Sequence, residues 1–181
     1  MAQEDRKLAV IVFTDIADFT ERMAANEDAA FSLIETQREL LQPIVEKYKG
    51  AWIKEMGDGL LLMFDSPRTC VDCCIELQHA AKPIDGLNIR ISVHLGEVIQ
   101  ASEDIYGDEV NVASRIEKYS PVGGIAISEN VQATVSRSAE YETTFIGAPV
   151  LKGVGRDIRI YAFTSHDLPG PAATNLENTT L

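Results

Sequence analysis

The hairpin expected between residues 51 and 64 constrains the fold of this chain more than any other feature. Two strand-like runs, AWIKEM and GLLLMF, are joined by Gly57 and Asp58 alone. A two-residue connection of glycine and aspartate predicts a tight turn between antiparallel strands. The two runs are therefore expected to be neighbours in one sheet, which the segments on either side must extend.

Strands and helices alternate around this hairpin. The runs KLAVIVFT at 7–14 and LNIRISVHLGEVIQ at 87–100 predict the first and fourth strands. Residues 19–50 carry apolar side chains at helical spacing, and Pro43 is expected to kink or interrupt that helix. Residues 66–84 predict a second helix, with a serine cap and a proline at its start.

The order β-α-β-β-α-β predicts an α+β fold with a ferredoxin-like core, in which helices cover one face of an antiparallel-rich sheet. Further elements are expected after this core: a helix at 108–120, a strand at 123–128, a short helix at 129–138 and one or two strands ending near 163. We predict one domain over residues 1–164. Residues 165–181 concentrate Pro, Gly and Asn without periodicity, which predicts a flexible tail or linker.

Composition narrows the classes of partner. A net charge of −12 argues against non-specific binding to nucleic acid or to anionic membranes. The first apolar run, LAVIVF, is too short for a signal peptide, and no segment has the length of a membrane span. Cys70, Cys73 and Cys74 lie at helical spacing without a second Cys or His cluster, which favours buried thiols in a reducing cytoplasm over a metal site. We therefore expect a cytoplasmic catalytic domain, and one that could belong to a longer or membrane-tethered protein.

Two aspartates are candidates for a metal site. Asp15 follows the first strand and Asp58 lies at the tip of the hairpin, so neighbouring strand ends can bring the two carboxylates together. Two carboxylates with substrate phosphates suit Mg²⁺. After Asp15 the chain enters a helix whose backbone N–H groups could bind a phosphate. Asp15 taken alone could equally be a helix N-cap; the pair is more informative than either member.

Asn111 and Arg115 lie four residues apart and hence on one face of the predicted helix. An amide and a guanidinium displayed together suit the stabilisation of an anionic transition state. Spacing alone is also compatible with an ordinary solvated helix face.

The motifs FTDI, KEMGDG, DIYGDEVNVASR and LKGVGR resemble, in order and separation, the catalytic domains of class III adenylyl and guanylyl cyclases. The resemblance covers roughly residues 6–164. It implies that these residues form the cyclase catalytic domain and that the two glycines beside Asp58 let nucleotide and metal approach. GGDEF-type diguanylate cyclases share a related sheet, but MGDGLL is not their signature.

The resemblance assigns roles to individual residues. Asp15, Ile16 and Asp58 match the positions that bind two Mg²⁺ or Mn²⁺ ions, which activate the ribose 3′-hydroxyl and hold the triphosphate. Asn111 matches the residue that orients the ribose, and Arg115 the one that stabilises charge on the α-phosphate. The phosphate-binding turn and the two basic residues for the outer phosphates correspond to Ile16, Ala17, Asp18, Phe19, Thr20, Arg90 and Lys152. Without the family, Arg90 would be interpreted as a surface strand charge and Lys152 as a loop lysine.

Lys54 and Asp104 match the pair that recognises the base. Lysine can donate to adenine N1 and aspartate can accept from the 6-amino group, whereas guanine reverses both requirements. The pair therefore favours ATP, although Lys54 alone would pass for an ordinary edge-strand lysine.

The resemblance thus implies an adenylate cyclase that converts ATP to 3′,5′-cyclic AMP and pyrophosphate. It also implies a head-to-tail homodimer, with the metal aspartates and the Asn–Arg helix of one site supplied by different subunits. Two alternatives remain: a guanylate cyclase of the same family, and a nucleotide-binding dimerisation module with low turnover.

Overall fold

A computed structural model describes residues 5–171 of the chain. Its elements, in chain order, are β1 (Asp5–Ile16), α1 (Phe19–Ala25), α2 (Glu27–Lys47), β2 (Ala51–Met56), β3 (Gly59–Phe64), α3 (Pro67–Ala81), β4 (Ile89–Ala101), β5 (Asp104–Tyr106), α4 (Asp108–Ile116), a 3₁₀ turn (Glu117–Tyr119), β6 (Ile125–Ser128), α5 (Glu129–Val135), β7 (Thr143–Gly147) and β8 (Ile160–Phe163). Pattern alone indicated all of these elements except β5, β7 as a distinct strand and the separation of α1 from α2.

The sheet confirms the predicted core. Its strand order is β2-β3-β1-β4-β6-β8-β7, and β5 pairs with the end of β4. The first four strands in this order form the antiparallel split βαβ arrangement, while β4 and β6 run parallel. The hairpin closes where expected, with Met56 opposite Gly59.

The first long helix is divided at a different residue from the one predicted. Of the two effects expected at Pro43, a kink or an interruption, the interruption is wrong, because α2 runs through this residue. The chain breaks at Asn26 instead, which adopts an extended conformation and accepts a hydrogen bond from the N–H of Ala29 through its side chain. An asparagine that caps the following helix ends the preceding one, a local competition that apolar periodicity does not report.

Helices pack on both faces of the sheet, which corrects the expectation of a single covered face. On one face, α2, α3 and α5 bury a continuous apolar core that includes Val10, Leu62 and Val93. On the opposite face, α4 packs Ala113 against Ile11 and Phe13 of β1, and Val112 and Ile116 against β6 and β8. Because α4 carries the Asn–Arg pair, this second layer positions the candidate site.

The three cysteines lie in the core, and the described part of the chain ends within the predicted tail. Cys70, Cys73 and Cys74 are free thiols buried in the main core, as expected. Leu168 packs against the same core. The predicted tail begins at residue 165, and its residues 172–181 lie outside the described residues, so the domain boundary stays a prediction. None of the helices within residues 5–171 has the length and apolar character needed to cross a bilayer.

Candidate active site

Asp15 and Asp58 lie side by side because β1 and the β2–β3 hairpin are adjacent in the sheet. The backbone N–H of Ile16 donates to Asp58 Oδ2 at 2.8 Å, which ties the tip of the hairpin to the end of β1. Gly57 has φ +63°, a conformation that favours glycine. A Cβ on Gly59 would lie 2.7 Å from the carbonyl oxygen of Thr14. The two glycines therefore allow the turn and its close approach to β1, which brings Asp58 to Asp15.

Arg90 holds the carboxylate of Asp15. The two residues face each other across β1 and β4, and Arg90 donates from Nε to Oδ1 at 2.9 Å and from Nη2 to Oδ2 at 2.6 Å. Glu117 lies beside the same pair, with its Oε1 at 3.8 Å from Arg90 Nε. Burial, and after it the carboxylate of Asp15, raises the pKa of Glu117 well above that of an ordinary glutamate.

A cavity of about 290 Å³ opens beside this cluster, and most of the predicted metal and phosphate residues line it. Its lining is Asp15, Ile16, Asp18, Phe19, Thr20, Glu21, Asp58 and Arg90. Helix α1 begins at Phe19, and its first internal hydrogen bond runs from the N–H of Arg22 to the carbonyl of Asp18. The N–H groups of the first turn are therefore free of helical partners. Ala17 is the exception in the predicted turn, because it does not line the cavity and its N–H donates to the carbonyl of Asn88 at 2.7 Å.

A second cavity, of about 380 Å³, is lined by residues predicted to hold the base and ribose. Its lining is Lys54, Ile105, Tyr106, Gly107, Asp108, Val110 and Asn111. Lys54 Nζ lies 2.9 Å from Asp104 Oδ2, so the two residues predicted to recognise the base form a pair across fifty positions of sequence. The hydrogen bond from Lys54 lowers the pKa of Asp104. Nothing but the family resemblance indicated this contact.

Four predicted residues line neither cavity: Ala17, Asp104, Arg115 and Lys152. Arg115 lies one helical turn beyond Asn111 on the exposed side of α4, and Lys152 is exposed in the loop between β7 and β8. Within residues 5–171, neither side chain makes a hydrogen bond or an ion pair. The two cavities share no lining residue. A single chain thus carries two separate sets of candidate residues, with Arg115 and Lys152 on its surface.

Pattern reasoning missed a charged network behind α4. Glu109 accepts hydrogen bonds from His94 and from Arg156 Nη2, the latter at 2.8 Å. It also missed Glu117 beside Asp15. Both glutamates find their partners across long stretches of sequence, so no local spacing announces them. The available signal was their place in the sequence: Glu109 lies within the motif DIYGDEVNVASR, and Glu117 lies two residues after it.

Comparison with known proteins decides the family. The sequence model of the adenylate and guanylate cyclase catalytic domain matches residues 1–165, nearly the whole chain. The chain belongs to the class III cyclase family. The predicted resemblance is confirmed, and the antiparallel-rich sheet with packed helices is the fold of that catalytic domain.

Relatives and solved structures agree with this assignment. The chain is 31% identical over 177 residues to putative adenylate cyclase 3 of Rhizobium meliloti, an alignment that covers 92% of this chain and 30% of that protein. A crystal structure of an adenylate/guanylate cyclase/hydrolase from Silicibacter pomeroyi has a TM-score of 0.81 at 29% identity, covering 89% of this chain and 98% of that one. The adenylyl cyclase CyaB from P. aeruginosa has a TM-score of 0.78 at 25% identity, covering 90% and 96%. The chain therefore spans under a third of the length of its Rhizobium relative but nearly all of the solved cyclase domains.

Proposed function

We propose that this cyclase domain is an adenylate cyclase that converts ATP to 3′,5′-cyclic AMP and pyrophosphate. The observation that carries the choice of ATP is the Lys54–Asp104 pair, whose charged atoms lie 2.9 Å apart beside the cavity that Asn111 also lines. The named adenylate cyclases among its relatives support the same choice.

The pair has the polarity that adenine requires. Lys54 has donors only, and ionised Asp104 has acceptors only. Adenine presents an acceptor at N1 beside a donor at its 6-amino group, so a lysine and an aspartate at hydrogen-bonding distance from each other can contact both. Guanine presents N1–H and O6, which would face the lysine and the carboxylate with the wrong polarity. GTP would then be disfavoured because Lys54 and Asp104 would be left without hydrogen-bond partners when guanine occupies the pocket.

The other cavity fits divalent metal and phosphate. Within the described residues no cluster of three or more His, Cys, Asp or Glu side chains is arranged to hold a metal. Asp15 and Asp58 supply two carboxylates, and Mg²⁺ commonly takes one or two carboxylates together with substrate phosphates. Two such ions, Mg²⁺ or Mn²⁺, held by Asp15, Asp58 and the backbone at Ile16, would supply activation of the 3′-hydroxyl and charge neutralisation at the triphosphate.

The protein groups position the reacting atoms. The 3′-oxygen attacks the α-phosphorus in line, the bond from phosphorus to the bridging oxygen breaks, pyrophosphate leaves, and the hydroxyl proton is released to solvent. Asn111 orients the ribose and Arg115 compensates charge on the α-phosphate. Arg90 and Lys152 bind the outer phosphates, as do the free N–H groups at the start of α1. Such positioning and electrostatics supply most of the acceleration in phosphoryl transfer.

A homodimer would unite the two sets of residues. Because the metal cavity and the base cavity are separate in one chain, one ATP needs the metal set of one subunit and the Asn–Arg set of its partner. A two-fold arrangement then gives two equivalent sites per dimer. We infer that the active form is this head-to-tail pair.

Product identification tests the proposal. The purified chain is incubated with ATP or GTP in the presence of Mg²⁺ or Mn²⁺, and the products are identified by mass spectrometry. Cyclic AMP from ATP, at a kcat/KM well above that for cyclic GMP from GTP, is expected. Predominant cyclic GMP would identify a guanylate cyclase. Tight ATP binding without turnover under all four conditions would identify a nucleotide-binding dimerisation module.

A further inference from the structure

Glu109 connects three parts of the molecule that are distant in sequence. It lies in the first turn of α4, two residues before Asn111, and its side chain turns toward the sheet. One carboxylate oxygen accepts from His94 of β4, and the other accepts from Arg156 of the β7–β8 loop at 2.8 Å. That loop also carries Lys152. Glu109 therefore joins α4 to the loop of Lys152 through charged groups. The same helix and loop also share an apolar cluster, which includes Leu151 and Ile158 of the loop and Val112 and Ile116 of the helix.

The inner half of this connection is rigid. His94 is 1% exposed, and its Nδ1 lies 2.7 Å from the hydroxyl oxygen of Ser128 on β6. Burial lowers the pKa of His94, which favours the neutral ring. Because a carboxylate can only accept, Nε2 carries the proton and donates to Glu109, while Nδ1 accepts from the hydroxyl of Ser128. The ring is thus fixed at both nitrogens, and it fixes Glu109.

Gly96 provides the space that Glu109 occupies. A Cβ on Gly96 would lie 2.5 Å from Glu109 Cγ and 2.6 Å from its Cβ. No real side chain tolerates such distances without moving its neighbour. The backbone of β4 is therefore built to accept this glutamate, which is evidence that its inward position belongs to the native arrangement.

The outer half of the connection closes the Lys152 loop. Val150 and Asp157 form an isolated bridge across its base, and Leu151 is buried at 2% exposure. The N–H of Val154 donates to the carbonyl of Leu151 at 3.0 Å, which makes a turn around Lys152. With one side of the loop anchored by Leu151, the contact from Arg156 to Glu109 fixes the other side. Lys152 is then presented from a loop held at both ends.

The contact from Arg156 to Glu109 orients the loop of Lys152 more than it stabilises the fold. The Arg156 side chain is 54% exposed, and an ion pair so open to water contributes little to folding. It does, however, restrict where the loop lies relative to α4. The exposed Arg156, bonded to the partly buried Glu109, can therefore be removed with a small loss of stability, while the loop gains freedom on that side.

We infer that Glu109 is a positioning residue: through Arg156 it holds Lys152 at a fixed place relative to Asn111 and Arg115, so that one chain presents all three to the substrate as a unit. The inference rests on the proposed function, in which Lys152 binds the outer phosphates. It adds a mechanism by which the helix that orients the ribose and the loop that binds the outer phosphates move as one unit.

The test uses inorganic tripolyphosphate, which carries the outer phosphates without base or ribose, as an inhibitor of cyclic AMP formation. Arg156→Met and Lys152→Met are compared with Arg137→Met, which removes an exposed arginine just beyond α5. We expect Arg156→Met and Lys152→Met each to raise the inhibition constant about tenfold, the effect of losing one charge-assisted contact. Inhibition by adenosine, which lacks phosphates, should stay unchanged, and so should both constants in Arg137→Met. Melting temperatures verify that each variant is folded.

Two further variants separate positioning from direct binding. If Arg156 acts through Lys152, the double variant Arg156→Met/Lys152→Met should have the same inhibition constant for tripolyphosphate as Lys152→Met alone. Glu109→Gln keeps the shape that fits over Gly96 but weakens the hold on Arg156, so it should also raise the inhibition constant. Additive losses in the double variant, or tighter tripolyphosphate binding in Glu109→Gln, would show that Arg156 binds phosphate itself and would overturn the inference.

The experiment also distinguishes this inference from the proposed function. An unchanged inhibition constant in Lys152→Met would remove the phosphate role of Lys152 and the inference with it. If the inhibition constant rises in Lys152→Met but is unchanged in Arg156→Met, the proposed function stays intact. That result would overturn only the positioning role of Glu109.

Discussion

At the scale of single residues, Asp58 has a structural task besides its proposed metal role. Its carboxylate accepts the N–H of Ile16 at 2.8 Å, whereas Asp15 is already paired with Arg90. Two neighbouring carboxylates repel each other, so removal of either one would on that ground alone be expected to stabilise the fold. The contacts indicate instead that Asp58→Ala would leave a backbone donor unpaired, at a cost of about 1–3 kcal/mol if no water replaces the carboxylate.

Asp58→Asn therefore gives the sharper test of the metal site. The amide oxygen can still accept from Ile16, so stability should stay within about 1 kcal/mol of the wild type. Turnover should fall by at least about a hundredfold, because a neutral amide replaces a charged metal ligand. Steady-state assays at saturating Mn²⁺ measure the effect, and Asp65→Asn, on a side chain 89% exposed at the far end of the hairpin, is the matched control. Near-normal activity in Asp58→Asn would contradict the metal assignment.

The base-recognition pair carries a second prediction at this scale. In Lys54→Glu/Asp104→Cys, an acceptor faces guanine N1–H and a weak donor faces O6, so selectivity should move toward GTP. Loss of ATP use should exceed the gain in GTP use, since the shape of the pocket is unchanged. The measurement is kcat/KM for both nucleotides in the same preparation. A ratio equal to that of the wild type would mean that other residues recognise the base.

The sequence located most candidate residues but not their partners. Motif resemblance identified Lys54 and Asp104, and the fold brings them to 2.9 Å. It gave no sign of Glu117 against Arg90 or of Arg156 against Glu109. Such contacts depend on the register of strands and on side-chain directions, which neither periodicity nor spacing specifies. The sequence thus predicts the identity and approximate place of the candidate residues, but not which charged side chains pair with one another.

At the scale of secondary-structure elements, strand and helix order followed from hydrophobic pattern, but local capping and layer assignment did not. Pro43 stays inside α2, and the capping side chain of Asn26 determines where the chain breaks. The sequence of helix α4 predicts an amphipathic helix, but this pattern is the same whichever face of the sheet the helix covers. Its place opposite the other long helices becomes visible only in contacts such as that of Ala113 with Ile11 and Phe13.

The junction of β4, β6 and α4 at His94 predicts a pH dependence of stability. Burial lowers the pKa of His94 below its ordinary value, so the unfolded chain binds a proton more readily than the folded one. The stabilisation linked to this group is present above about pH 6.5 and is lost as the pH falls through the folded-state pKa. The free energy of unfolding should therefore fall more steeply between pH 7 and 5 in the wild type than in His94→Gln. Urea denaturation across that range measures both slopes, and parallel curves would show that His94 does not titrate as its burial predicts.

At the scale of the whole molecule, the separation of the two cavities leads, under the proposed function, to the prediction that one chain alone is inactive. Asp15 and Asp58 line one cavity, and Lys54 and Asn111 line the other, with Arg115 exposed one turn further along α4. Within residues 5–171 the exposed guanidinium of Arg115 has no hydrogen-bond or ion-pair partner, as a site completed by a second subunit would require. Specific activity should accordingly fall on dilution through the range in which the dimer dissociates.

Complementation between two inactive variants tests this arrangement directly. Asp58→Asn loses the metal half of a site but leaves Lys54, Asn111 and Arg115 for its partner, and Arg115→Ala does the reverse. Random exchange of equal amounts gives roughly half heterodimers, each with one intact site, hence about a quarter of wild-type activity. Exchange is monitored independently by mixing differently tagged chains, and Arg137→Ala mixed with Asp58→Asn shows the activity expected when only one half is impaired. If exchange is complete and the Asp58→Asn/Arg115→Ala mixture remains as inactive as its components, the whole site lies within one chain and the dimer mechanism is wrong.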